Sequence, residues 1–260
     1  MKSKWSDIAV RKIVKKYTAK GIGEDLALRV YTTRLLGSDA RLVLHGGGNT
    51  SVKTKMFDPI GEEVEVICVK GSGCDMANIE SFQLPALCLE AIHKLRELKE
   101  IPDEIMVNAQ RGALIDSTSP TPSVETLMHA FLPHKFVDHT HSDAVLSVCD
   151  QPDGELICRD LYGDRAALVP YVMPGFSLAQ SCVHIWEKNP NVEGLILLKH
   201  GICTFGETAR EAYDRMVALV TLAERKIARA PLSKVFKSIP IPKNLAQPAP
   251  LAPILRGAVA

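Results

Sequence analysis

No pair of cysteines stands at C-x-x-C spacing, although the chain has seven: Cys68, Cys74, Cys88, Cys149, Cys158, Cys182 and Cys203. An odd number without such pairs argues against a zinc ribbon or a disulfide framework, so a reducing cytoplasm is the expected compartment. An excess of one charge is also missing: 31 Lys and Arg stand against 30 Asp and Glu, interspersed for a net charge of +1. That balance argues against a nucleic-acid partner. No apolar run approaches the roughly 20 residues of a bilayer span, and the lysine-bearing stretch 1–8 carries no apolar signal core. No membrane partner is therefore expected. No G-K-[ST] follows a glycine loop and no G-x-G-x-x-G occurs, which removes the P-loop and dinucleotide fingerprints. No internal repeat is evident.

What is present is a chain of 260 residues, 46% hydrophobic, long enough to bury a full core. Ile8, Val10, Ile13, Val14 and Tyr17 recur at helical spacing. A second helix is predicted from about Glu24 to Leu36, and a short strand, Leu42 to Leu44, is expected to run into His45-Gly46-Gly47-Gly48-Asn49-Thr50-Ser51. Further strands are predicted at 64–69, 136–140, 168–172 and 195–198, the third of these an edge strand because of Pro170. Helices are predicted over 84–98, from a Ser123 N-cap with Glu125 in its first turn, and over 207–229. This order indicates the α/β class: one three-layer α/β/α domain over 1–230 around a central mixed, largely antiparallel sheet. Beyond it, six prolines from Pro231 to Pro253 predict an extended Pro-rich tail or linker over 231–260.

The sharpest chemical signal is Asp138-His139-Thr140-His141 at the end of an apolar strand. Residues two apart in a strand share a side, so His139 and His141 can offer both imidazoles to one ion. His200, after the apolar run Leu195–Leu198, is a candidate third ligand, and Glu125 is the candidate carboxylate. Two histidines with a carboxylate, or three histidines, both leave a catalytic metal open to substrate. The glycine loops at Gly46–Gly48 and Gly71-Ser72-Gly73 each follow a predicted strand. Their backbone N–H groups can converge on an anion, with Asn49 and the Ser123 helix start adding donors. His45, His93, His129, His134 and His184 are read as structural or surface residues, with His129 set apart because it follows Glu125 by four residues. Lys53, Lys70, Tyr162 and Tyr171 are equally open to surface, packing or substrate roles.

Five ordered blocks carry a resemblance: Gly48-Asn49-Thr50-Ser51, Gly71-Ser72-Gly73, Pro122-Ser123-Val124-Glu125, His139-Thr140-His141 and Lys199-His200-Gly201. Over roughly residues 40–205 the chain resembles the class II aldolase/adducin family, which includes fuculose-phosphate and rhamnulose-phosphate aldolases. Closer still, it resembles the N-terminal aldolase part of bifunctional proteins in which a short-chain dehydrogenase follows. The resemblance implies a Zn2+ enzyme cleaving a small phosphorylated sugar, a ketose 1-phosphate, to dihydroxyacetone phosphate and an aldehyde. It implies that His139, His141 and His200 bind the metal and that Glu125 is the catalytic acid/base. It further implies that Gly48, Asn49, Ser72, Gly73 and Ser123 hold the phosphate end, and that the chain forms homo-oligomers, as tetramers. Many such aldolases carry two serines before the glutamate, and here Val124 takes the place of the second. A sugar-phosphate epimerase, a dehydratase, a zinc hydrolase and a non-catalytic adducin-like module are the alternatives.

Overall fold

The computed structural model describes residues 1–230 and 247–259. Residues Met1–Arg229 form one compact unit and Ala230–Ala260 belong to a second. The first opens with two helices, α1 (Asp7–Thr18) and α2 (Glu24–Gly37). Ser6 caps α1 by accepting from the Ala9 amide, and Asp7 complements the helix dipole in its first turn. There follow β1 (Asn49–Phe57), β2 (Glu63–Val69), β3 (Ala86–Cys88), α3 (Leu89–Lys94), α4 (Asp103–Gly112), α5 (Thr126–Phe131) and β4 (Phe136–Thr140). The unit is completed by α6 (Asp143–Cys149), α7 (Gly154–Tyr162), β5 (Ala166–Val169), α8 (Phe176–Lys188), β6 (Gly194–Leu197), β7 (Gly201–Gly206) and α9 (Ala209–Ala228).

The strands build a seven-stranded sheet in the order β3-β2-β1-β4-β7-β6-β5. Every pairing is antiparallel except β5 with β6, which α8 joins as a crossover. The sheet is mixed and largely antiparallel, as expected. Both of its faces are covered, because side chains alternate across a strand. Leu195, Leu197, Cys203 and Phe205 pack on one side with α3, α4, α5 and α8. Ile196 and Ile202 pack on the other with residues of α2, α6, α7 and α9, where Val52, Val66 and Phe136 also meet α1 and α2. The result is the α/β/α sandwich read from the sequence.

Several elements differ from their sequence reading. Leu42 and Val43 are not in a strand: both N–H groups turn back onto the Asp39 carbonyl, and the side chains plug the core beside Leu36 and Met76. The helix expected over 84–98 begins as β3, since Pro85 cannot donate but its carbonyl accepts from Val69, and helix covers only Leu89–Lys94 before a 3-10 turn. Ser123 is not the N-cap of α5. That position falls on Glu125, with Pro122 extended and bridged to Gly71. Strands β1 and β7 were not anticipated, one for its lysines and threonine, the other because glycines bound a short run. In the second unit α10 (Pro248–Val259) is helical where an extended tail was predicted. Pro248 and Pro250 sit in its first turn, where N–H groups lack helical partners anyway, so only Pro253 removes a bond. The remainder of the predicted tail, 231–246, lies outside the described residues.

Behind the sheet, a fully buried ion pair fastens α2 to β4: Arg29 Nη2 lies 2.6 Å from Asp138 Oδ1. The same guanidinium donates to the Ser51 and Val137 carbonyls of β1 and β4. Removing one partner strands the other charge in the core. Arg29→Met is therefore expected to cost about 3–5 kcal/mol, whereas Arg29→Met combined with Asp138→Leu recovers most of that loss. Urea denaturation of the two variants checks both outcomes.

Candidate metal centre

One end of the sheet gathers the chemistry. β1 begins where β4 ends, with Asn49 opposite His139, and β4 lies beside β7, with His139 opposite Cys203. His139 and Val137 face the α5 side of the sheet, while Asp138 faces α2, as alternation requires. His141 follows one residue after β4 ends. His200 comes from the tight turn between β6 and β7, in which Lys199 takes a positive φ of 59°. Gly201 is required by close approach: a Cβ there would lie 2.5 Å from the Thr140 carbonyl and 3.2 Å from His139 Cε1. Gly48 answers a similar need, with φ +63° and a virtual Cβ 2.8 Å from the His139 carbonyl.

The structure brings His139, His141 and His200 together, each offering a ring nitrogen within 4.8 Å of the others. His139 Nδ1 lies 3.1 Å from the Ile202 carbonyl and, since a carbonyl only accepts, it carries the proton. Its Nε2 is thus left with a lone pair, facing His141 Nε2 at 2.9 Å. Burial pulls His139 down to about 4, against the opposing pull of Glu125. Burial also lowers His141, reinforced by His200. Neutral imidazoles with convergent nitrogens fit a divalent cation, and nitrogen donors beside one carboxylate suit zinc better than a hard oxygen-seeking ion. The hydrogen bond behind His139 is the outer support such ligands use. The cysteines are not part of the cluster.

Glu125 stands beside the triad, Oε1 3.2 Å from His200 Nε2 and Oε2 3.5 Å from His139 Nε2. Burial pushes its carboxyl up, but the combined pull of His139, His200 and the Asn49 amide outweighs it, and the group is held below the usual carboxylate range. Its ionised form is therefore favoured before any cation is considered.

The expected anion-binding residues divide. Ser123 is buried, and its Oγ accepts from Asn49 Nδ2 at 3.1 Å and from the Glu125 amide. Ser72 and Gly73 are exposed at the rim, next to the other glycine loop: a Cβ on Gly46 would lie 3.3 Å from the Gly73 carbonyl. Asn49 donates to Glu125 Oε2 at 2.6 Å as well as to Ser123. Lys70, open to several roles from sequence, is buried beneath both loops and donates to the Gly46 and Cys74 carbonyls. Lys53 donates to the His129, Leu132 and His134 carbonyls at the end of α5. Tyr162 is in the core and Tyr171 is exposed. His129, read as structural but set apart by its spacing, is buried against Asn49 and Ser51.

Comparison with known proteins identifies the family and the fold. The class II aldolase and adducin N-terminal domain family matches residues 27–227. The N-terminal class II aldolase domain of a conserved protein from Thermoplasma acidophilum is 36% identical, with a TM-score of 0.77, over 87% of this chain and 99% of that one. An uncharacterised oxidoreductase of Bacillus subtilis (strain 168), YuxG, is 42% identical over 236 residues, 88% of this chain. The chain spans only 34% of that relative's length. A sugar-phosphate aldolase from Thermotoga maritima shares the fold at 17% identity, with a TM-score of 0.53, over 77% of this chain and 97% of its own.

The crowding at Gly201 yields a test. Gly201→Ala displaces the His139 ring or the Thr140 carbonyl and is expected to weaken zinc binding about 10–100-fold. Competition against a chromophoric chelator measures it, with circular dichroism confirming an unchanged helix content. Affinity equal to wild type would contradict the packing argument.

Proposed function

The chain belongs to the class II aldolase and adducin family, and we propose that it is a metal-dependent lyase acting on a ketose 1-phosphate. In this reading a sugar of the rhamnulose- or fuculose-phosphate kind is cleaved to dihydroxyacetone phosphate and an aldehyde. The observation that carries it is the Glu125 carboxylate set within 3.2–3.5 Å of two of three convergent imidazoles.

His139, His141 and His200 would hold the cation. A divalent ion bound by neutral nitrogens keeps its full charge and supplies Lewis-acid stabilisation for negative charge developing on a carbonyl oxygen. Glu125 handles the proton on carbon. In the condensation direction its ionised carboxylate takes a proton from the carbon beside the carbonyl, and in cleavage the same carboxyl returns it. Asn49 Nδ2 keeps the carboxylate aligned. Ser72, Gly73 and Ser123 receive the phosphate end, and Lys70 places positive charge beneath the two glycine loops. Fixing both ends of the substrate turns encounter into alignment. Val124, 39% exposed beside Glu125, offers no donor where many relatives of this kind carry serine, so the phosphate relies on the other groups.

Glu125→Gln keeps the shape of the site but cannot carry the proton. It is expected to lower turnover about 10²–10⁴-fold while zinc stoichiometry stays near that of wild type. Dihydroxyacetone phosphate release from a panel of ketose 1-phosphates, with elemental analysis of the same samples, provides the measurement. Near-full activity of the variant removes Glu125 from the chemistry. Products other than an aldehyde and dihydroxyacetone phosphate redirect the reading to epimerisation or dehydration.

A further inference from the structure

Behind Glu125 lies a second buried imidazole that the metal cluster does not use. His129 lies on α5, four residues after its N-cap Glu125, and has no exposed surface. On β1, Asn49 and Ser51 are two residues apart and share the face toward α5. A strand advances about 6.6 Å over two residues and a helix about 6 Å over four. The two spacings match, so Glu125 meets Asn49 while the His129 ring falls between Asn49 and Ser51. Nδ1 of His129 meets Ser51 Oγ at 2.9 Å, and Nε2 meets Asn49 Oδ1. Asn49 then turns Nδ2 to Glu125 Oε2 at 2.6 Å and to Ser123 Oγ at 3.1 Å.

We propose that His129 is a positioning residue: as its Nε2–H tautomer it fixes the amide of Asn49, so that an N–H and never a C=O faces the Glu125 carboxylate. The inference rests on the role proposed for Glu125. Its direction follows from polarity alone. A carboxylate only accepts, so the Asn49 atom beside it is the donor nitrogen. The Asn49 oxygen is then turned to His129, whose Nε2 donates. That leaves Nδ1 with a lone pair, and the Ser51 hydroxyl supplies its hydrogen. The opposite amide orientation would set two oxygens 2.6 Å apart beside an anionic charge. Burial pulls His129 down to about 3, which keeps a doubly protonated ring from serving both neighbours at once. Ser51, His129, Asn49 and Glu125 thus form one directed chain, and Asn49 has its amide hydrogens directed to Glu125 and Ser123.

Two measurements test this on the zinc-loaded full chain. Long-range proton–nitrogen spectra of 15N-histidine protein report the tautomer, with the His129 signals identified by their loss in His129→Gln. The expected result is a protonated Nε2 and an unprotonated Nδ1, unchanged from pH 6 to 8. An Nδ1–H tautomer or an imidazolium overturns the proposal. This result needs no substrate, so it stands even if no sugar phosphate is turned over and the aldolase reading falls. The second measurement compares His129→Gln, whose amide reaches the place of Nε2, with His129→Asn, whose amide reaches only that of Nδ1. The Gln variant is expected to keep kcat near wild type, and the Asn variant to lose about 10–100-fold in kcat with KM and Tm close to those of the Gln variant. Equal kcat in the two variants overturns the proposal.

Discussion

His139 Nε2 and His141 Nε2 face one another at 2.9 Å, and a ring nitrogen of His200 lies within 4.8 Å of them. Nitrogens that close repel unless a proton or a cation lies between them. The rest of the molecule answers that constraint. β4 presents His139, the chain just beyond it presents His141, and the strained turn before β7 presents His200. No one segment could hold the cluster, because strand spacing supplies only the first two rings. The third needs β6 and β7 paired and a glycine at 201 to let the strands close.

Electrostatics around the cluster is layered by the sheet itself. On the α5 side, burial lowers His139, and the hydrogen bonds that Glu125 accepts from His200 and the Asn49 amide help hold its carboxyl below the usual range. On the α2 side, the charged pair Arg29–Asp138 sits one residue away along the strand yet points to the opposite face. Burial pushes Asp138 up, and the Arg29 guanidinium opposes that. Alternation in β4 therefore sets the Arg29–Asp138 pair and the cluster of histidines beside Glu125 on opposite faces of the sheet. Tying Arg29 to the β1 and β4 carbonyls also fixes the register that sets Asn49 opposite His139.

Much of this was legible in the residue order. The α/β/α class followed from strands interleaved with helices, and α1, α2, β2, β4, β6 and α9 stand close to their periodicities. The convergence of His139 and His141 was legible because side chains two apart on a strand share a side, and His200 because an apolar run ending in a polar residue is a local pattern. β1 and β7 were missed since their hydrophobicity is modest; their burial comes from neighbours on both sides. Ser123 failed as an N-cap because Pro122 pairs with Gly71 and pulls the chain out of helical geometry. His129 gave one signal, its helical spacing from Glu125, and that says nothing of what lies across from it.

Residue type and spacing within one strand or one turn already limit which side chains could bind a metal or carry a proton, because those properties are local. Which of them meet is set by the folded sheet. It alone also decided how Asn49 is turned, because the direction of a hydrogen bond depends on the partner across the gap. Those partners, on α5 and β1, lie about 75–80 residues apart and are brought together by the sheet.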